Sequence, residues 1–461
     1  MTIDYIVIAI YLSVILGVGW LGWFKAKTRE DYSVAGRQLG PVLFTSTMAA
    51  TILGGASTIG TIGLGYRYGI SGLWLPASLG FGIIGLSLFM VSPLIRLKLH
   101  TVTQILALRY RPSVKLVGSI VMMIYDLMVA VTSTIAIGNV LSTLLKISMV
   151  EAIWGGGAVV VAYAVLGGMW SLARTDILQF TLKTLGLLFV LMPLSVIHAG
   201  GWRHMAAVLP AHYFSLTAIG LPTITTYFLI YSLGILIGQD IWQRAFTARS
   251  GSVAKWGGLT AGIYCILWGV MGGVIGMSAR VYLPALANPE SAFVVAIETV
   301  LPVGIKGVVI AAALAALMST ASACMMATST IAIYDVYTAI AGKEKCSIII
   351  DRLSTLIVGI IMLLIASLIG NVVAALTVAY NLLVGALLIP LIGAVFWKRA
   401  SSTGAIIAIL LGGITVISFI INDGLLSNSP IYYGLGVNLI AFMAGSLLRP
   451  DRVFKPPVSR L

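Results

Sequence analysis

Charge is what this sequence has least of. It carries 28 Lys and Arg and 14 Asp and Glu in 461 residues, 9% of the chain, where soluble domains carry about 25%. A soluble protein of this length could not cover its surface with so few charges. Cysteine is also scarce: Cys265, Cys324 and Cys346 are the three present. Two lie in apolar runs and no CxxC spacing exists, which excludes a disulfide framework or a zinc site of the usual spacing. The four histidines, His100, His198, His204 and His212, include no metal-spaced pair. No HExxH, GxSxG or Walker motif occurs, so neither a hydrolytic enzyme nor an ATP-driven pump is indicated. What is abundant is apolar: 59% of residues are hydrophobic, mean hydropathy is +1.06, and there are 50 glycines. Small residues let helices approach closely in lipid. The composition is that of an all-α polytopic membrane protein.

A spanning helix needs about 20 apolar residues. About thirteen runs qualify, near 4–24, 40–66, 70–95, 116–145, 149–168, 174–197, 222–243, 253–280, 306–334, 352–371, 373–396, 403–421 and 430–448. No soluble domain fits between them, so 1–461 reads as one transmembrane domain in the cell membrane. The first run has no basic segment before it and no small-residue cleavage site after it, and is expected to be a retained span.

The few cations record a topology. With thirteen spans and the N-terminus outside, loops on the inner side hold 22 Lys and Arg against 5 on the outer side. Inner loops collect such residues, so N-out and C-in is expected. This placement also accounts for the net charge of +14 without nucleic acid as a partner.

Two spans look broken. The second holds Gly54-Gly55, followed by Gly60, Gly63 and Gly65; the seventh holds Gly234 and Gly238 ahead of Gln239-Asp240. They are five spans apart. Glycine-interrupted helices in corresponding positions point to an inverted-repeat transporter with its site at the midplane; the plainer reading is close helix packing. In the ninth span Ala316, Ser319 and Thr320 share a helix face. A carbonyl and two hydroxyls are hard oxygen ligands of the kind a small cation such as sodium prefers. Alternatively the hydroxyls bond back to their own helix.

Asp31 to Arg37, Tyr163 to Ser171 with Thr175-Asp176 and Gln179, Ala315 to Thr330 with Asp335-Val-Tyr337, and Gly385 to Gly404 follow one another in an order that resembles the sodium:solute symporters over nearly the whole chain. The resemblance implies a LeuT-type fold: a helix in front (4–24), two inverted five-helix repeats (40–197 and 222–396), and two helices behind (403–448). It implies a sodium site built from the carbonyls of Ala49, Ile52 and Ala316 and the hydroxyls of Ser319 and Thr320. It also implies symport of a small organic solute into the cell by alternating access, without a nucleotide-binding subunit. A passive facilitator or channel is the less favoured class, because no pore-lining repeat is visible.

The solute is left open among amino acids, carboxylates and amines. Gly55-Ala56 and Leu75-Pro76 stand where sugar-carrying relatives place polar groups. Ile52, Val129 and Gly238 replace the tryptophans of a choline cage. Thr51 stands where proline carriers have an aspartate. Thr51, Gly54, Gly55, Asp126 and Gln239 are the candidate solute residues. Ionisable groups deep in a membrane suggest function, which singles out Asp126, either for a cationic solute or for proton coupling; equally open is a structural pairing with a neighbouring polar group or a neutral carboxyl. Asp176, Lys183 and Asp240 are candidates for coupling and for the cytoplasmic path. In some amino-acid transporters of this fold a lysine takes the place of sodium. Lys183 lies on the corresponding helix, so a proton-coupled symporter is the alternative; a Lys183–Asp176 pair is the structural one.

Overall fold

The computed structural model describes residues 2–342, 347–369 and 372–451. Lys343, Lys345, Arg452, Lys455 and Arg460, counted above toward the basic side, lie outside them. The described residues are almost entirely helical; their one β-like pairing is a single bridge between Leu39 and Ala248.

The helices that frame the bundle begin with α1 (Thr2–Trp23), α2 (Pro41–Ile52), α3 (Thr61–Tyr68), α4 (Trp74–Phe89), α5 (Pro112–Leu145) and α6 (Met149–Lys183). They continue with α7 (Leu221–Tyr227), α8 (Gln239–Ala245), α9 (Gly251–Tyr282) and α10 (Ile305–Ile331). The chain closes with α11 (Ile348–Ala366), α12 (Val372–Phe396), α13 (Ser402–Asp423) and α14 (Ser429–Leu448). Their starts are written locally. Pro41 and Pro112 open α2 and α5, positions where a missing N–H costs nothing. Ser148 and Glu151 form a capping box on α6, and Ser401 caps α13, each satisfying N–H groups the helix itself leaves free.

Among the described residues, by length and apolarity ten helices can cross a membrane, or eleven if the bent pair Leu221–Ile235 and Gln239–Ala245 is one span. The thirteen expected spans are therefore not found as thirteen separate helices. The reason is fusion: the runs 149–168 and 174–197 lie in one helical stretch, Met149–His198, of 50 residues. At 1.5 Å per residue that is ~75 Å, more than twice the ~30 Å hydrocarbon core. The backbone redirects at Gly168, where φ is +52° and ψ −135°. The run 70–95 is likewise joined to the end of 40–66 in the stretch Ala56–Phe89.

Helix α10 is the hub. Every residue from Val309 to Ile331 is buried, and it packs on α5, α6 and α1. Helix α9 lies on α2, α3 and α4, while α13 and α14 pack against each other and on α12. The outer helices present large apolar side chains such as Trp20, Phe89, Ile414 and Leu448 to the outside, as a lipid-facing surface requires.

The end rich in Lys and Arg is tied shut. Arg29 grips Asp351 through two contacts of 2.8 and 3.0 Å. Lys115 pairs with Asp335 at 2.8 Å, and Thr101 and Thr103 donate to the same carboxylate. Gln239 bonds the N–H of Val102 and the carbonyl of His100; Gln243 reaches the carbonyl of Ser33 and the hydroxyl of Thr330. His100 stacks on Tyr334 at 4.4 Å and bonds Ser33. It lies between spans, and burial together with the nearby Arg37 lowers its pKa to about 4.

Two outcomes follow. A Cβ at Gly168 would lie 2.4 Å from the Tyr32 carbonyl, and its backbone angles strain any other residue by roughly 1–3 kcal/mol. Gly168→Val should lower the melting temperature of the purified protein by several degrees. His100 is neutral in the fold but protonates near pH 6.5 when unfolded. Its contribution is thus present above pH 6.5 and is lost as pH falls toward about 4. Melting curves across that window should show a steeper acid loss in the wild type than in His100→Gln.

Candidate functional site

Helix α2 ends at Ile52, and Leu53 leaves helical geometry with φ −96° and ψ +68°. The interruption exposes backbone carbonyls deep inside the bundle, where each needs a partner. Helix α10 supplies them. Ser319 donates to the Ala50 carbonyl at 2.9 Å and to Ala316 at 3.0 Å, and Thr320 donates to the Thr51 carbonyl at 2.5 Å. The approach requires glycine: a Cβ on Gly54 would lie 2.6 Å from that of Thr320. Of the five residues expected to hold sodium, Ala316, Ser319 and Thr320 meet here, but the α2 carbonyls they reach are those of Ala50 and Thr51 rather than Ala49 and Ile52. The Ile52 carbonyl instead accepts from Ser57 at 3.1 Å.

Lys183 completes the cluster from α6. Its fully buried ammonium donates to the carbonyls of Ala49 and Ala50, both at 3.2 Å, and lies 5.3 Å from the face of Trp268. An ammonium has three protons and no acceptor. It is stable in this place only because freed carbonyls and an aromatic face receive it. A tethered cation therefore lies against the carbonyl groups that a small hard cation would use.

Asp176, one face along α6, is not bonded to Lys183. It accepts from Thr47 and from Arg244, the latter at 3.5 Å, with both members of the ion pair fully buried. Arg244 also donates to the Thr51 hydroxyl at 3.0 Å, and Thr51 to the Thr47 carbonyl at 2.8 Å. The pair is therefore tied to the same broken helix as the Lys183 cluster.

The second interruption mirrors the first. The chain bends by 45° between Ile235 and Gln239, and α8 begins after Gly238. Here Asp126 of α5 accepts from the Asp240 N–H at 3.3 Å. Tyr125 donates to the Asp240 carboxylate at 3.4 Å and Cys324 at 3.8 Å. Ligand atoms of Asp126, Asp240 and Cys324 lie within 4.8 Å of one another. The second Asp126 oxygen is buried and has no hydrogen-bond partner.

Between the two breaks lies a small cavity. Thr51, Gly54, Gly55, Ser133, Asp240 and Tyr380 are among its walls. The space open to the centre of a water molecule is about 20 Å³, room for a water or two. A solute enters only when these walls part. Of the expected solute residues, Thr51, Gly54 and Gly55 line this cavity, Asp126 stands behind Asp240, and Gln239 is engaged with the 100–102 loop. At the opposite end from the tied loops, a wider hollow is lined by Ile59, Asn139, Thr143, Asn288 and Glu290.

Three participants were not singled out by the sequence. Thr47 lies one turn before Thr51, and Cys324 one turn after Thr320, so helical spacing from those candidates would have found both. Arg244 sits in the last turn of α8, where a basic residue is ordinary, yet it is a fully buried charge. Its partner Asp176 is 68 positions away and no local pattern joins them.

Comparison with known proteins agrees with this geometry. Residues 32–412 match the Sodium:solute symporter family. A sodium/glucose cotransporter of Vibrio parahaemolyticus is 28% identical, covering 88% of this chain and 83% of that protein. A sodium/proline symporter of Staphylococcus aureus is 24% identical, covering 90% and 85%. Among solved structures, a substrate-bound, outward-open Na+-coupled sialic acid symporter superposes with a TM-score of 0.84 at 21% identity, covering 98% of this chain and 99% of that one. MhsT in complex with L-phenylalanine superposes at 0.54 with 12% identity, covering 88% and 98%. The architecture is the LeuT-type fold, and this chain, a multi-pass membrane protein, belongs to the sodium:solute symporter family.

Proposed function

We propose that the chain carries a small organic solute together with sodium by alternating access, the two five-helix repeats 40–197 and 222–396 moving against each other. Sodium is placed at the junction of α2 and α10, on the carbonyls of Ala49, Ile52 and Ala316 and the hydroxyls of Ser319 and Thr320. The observation that carries this reading is the reach of Ser319 and Thr320 onto the carbonyls of Ala50 and Thr51 at the break. A cation held there joins a hub helix to an interrupted one, so it favours one arrangement of the repeats over the other. Only such differential affinity lets the sodium gradient drive solute movement. With the basic loops inside, the tied end faces the cytoplasm, the N-terminus is outside, and the solute moves inward.

One observation favours a refinement, in which Lys183 competes with sodium. Its ammonium already bonds the Ala49 and Ala50 carbonyls. Sodium then binds once Lys183 withdraws or gives up its proton, and proton movement accompanies sodium movement. In the limiting form the proton is the coupling ion and the ammonium itself is the site's cation.

The expected results separate these. For sodium at about ten times its half-saturating concentration, stabilisation is ~1.4 kcal/mol. Replacing potassium by sodium should therefore raise the melting temperature by a few degrees, and Ser319→Ala with Thr320→Ala should remove the response. Lys183→Met should lower the half-saturating sodium concentration about tenfold, the equivalent of ~1.4 kcal/mol of competition removed. A protein indifferent to sodium, whose solute uptake into proteoliposomes follows a pH gradient and survives the double substitution, would establish the proton-coupled form instead.

A further inference from the structure

The buried charges of the bundle do not balance locally. Asp176 has Arg244 at 3.5 Å, and Asp335 has Lys115 at 2.8 Å. Lys183 is held by carbonyls. Asp126 and Asp240 remain, both buried, adjacent, and with no ion pair between either of them and a cation among the described contacts. Among the described contacts their hydrogen bonds come from weak or neutral donors: the N–H groups of Asp240 and Ile241, the Tyr125 hydroxyl and the Cys324 thiol. One oxygen of Asp126 has no partner at all. Two carboxylates in a low-dielectric interior strongly favour a positive charge between or beside them. Arg244 is the nearest buried cation along α8, one turn beyond Asp240, but its hydrogen bonds go to Thr51, Met169 and Asp176.

Asp240 is also a wall of the central cavity, so the missing charge can arrive with the solute. Resting on the symporter reading above, we propose that the transported solute bears a cationic nitrogen, an ammonium or guanidinium group, which Asp240 and Asp126 receive. The surroundings suit an organic cation better than a resident metal ion. Beside Asp240 and the hydroxyls of Thr51, Ser57, Thr132, Ser133 and Thr320, the cavity lining includes Ile235, Ile241, Leu376 and the ring of Tyr380, which offer apolar contact to the organic part of such a cation. Tyr380 stands edge-on to Tyr125 and to Tyr231, each at 5.0 Å between ring centres. Aromatic faces of this kind attract cationic nitrogen. The hollow at the far end has Glu290 in its lining and neither lysine nor arginine, so the approach does not repel a cation.

The specificity this assigns differs from that of an uncharged sugar. It also needs no tryptophan cage, because ion pairing replaces it. A neutral isostere of the solute would leave both carboxylates without a counter-charge, and such losses discriminate strongly.

The test uses the purified full chain, in sodium, with pairs of small probes alike in shape and unlike in charge: guanidinium against urea, butylammonium against 1-butanol, and putrescine against 1,4-butanediol. Ionic strength is fixed and binding is read as thermal stabilisation. The cationic member of at least one pair should half-saturate at a concentration at least about tenfold lower than its neutral partner, the ratio for ~1.4 kcal/mol. In Asp126→Asn and Asp240→Asn that preference should shrink to near parity while stabilisation by sodium alone persists. Neutral members that bind as well as the cations, cations that give no stabilisation, or a preference undiminished in both variants would each overturn the proposal. The comparison within the wild type stands even if a variant fails to fold. Failure of the symporter reading would look different: sodium alone would then have no effect on the wild type.

Discussion

The contact between the interrupted backbone at Leu53–Gly55 and helix α10 is the constraint on which the rest of the structure depends. Inside a bilayer a backbone carbonyl cannot turn to water, and a helix break survives only where neighbours satisfy it. Ser319 and Thr320 do so for Ala50 and Thr51, and Lys183 does so for Ala49 and Ala50. Gly54 is the condition for their approach, since any side chain there would collide with Thr320. The same arrangement that rescues the break concentrates carbonyl oxygens in one place. The bonds that meet this structural necessity are the ones on which cation recognition is proposed.

The second break is satisfied differently. Asp126 receives the Asp240 N–H, so a carboxylate rather than a hydroxyl meets the freed backbone. One interruption thus gathers neutral oxygens and a tethered ammonium, and the other gathers negative charge. The cavity touches both, through Thr51 and Gly54 on one side and Asp240 on the other. A coupling cation and a cationic solute would then be received by distinct sets of atoms a short distance apart, each set drawn from both halves of the chain: the α2 carbonyls with Ser319 and Thr320 of α10, and Asp126 of α5 with Asp240 of α8. Such an arrangement lets the closing of the repeats depend on both occupants, which is what obligatory coupling demands.

Much of this was legible in the sequence because lipid restricts what a chain can do. Apolar runs gave the helices; Gly54-Gly55 and Gly238 marked the breaks; the spacing of Ala316, Ser319 and Thr320 placed three groups on one face. The separation into thirteen spans was less legible. Residues 149–198 follow one another as helix on both sides of a kink at Gly168, and hydropathy does not register a change of direction made by one residue. Long-range pairing was legible least. Arg244 with Asp176, and Asp126 with Asp240, join positions 68 and 114 apart. Burial of a charge is decided by the neighbours it meets after folding, and the local pattern around Arg244 is that of an ordinary helix end. Lys183 is legible as a charge inside an apolar run, yet that its ammonium points at the Ala49 and Ala50 carbonyls rather than at Asp176 follows only from the packing of α6 against α2.

The most direct measurement of the central claim is equilibrium binding of radioactive sodium to the purified protein in the absence of any solute. A cation site at the junction of α2 and α10 predicts saturable binding that rises when Lys183 is replaced by methionine and disappears when Ser319 and Thr320 are both replaced by alanine. Saturable binding of unchanged affinity in the Ser319→Ala, Thr320→Ala protein would contradict it, and would place the coupling cation elsewhere in the bundle.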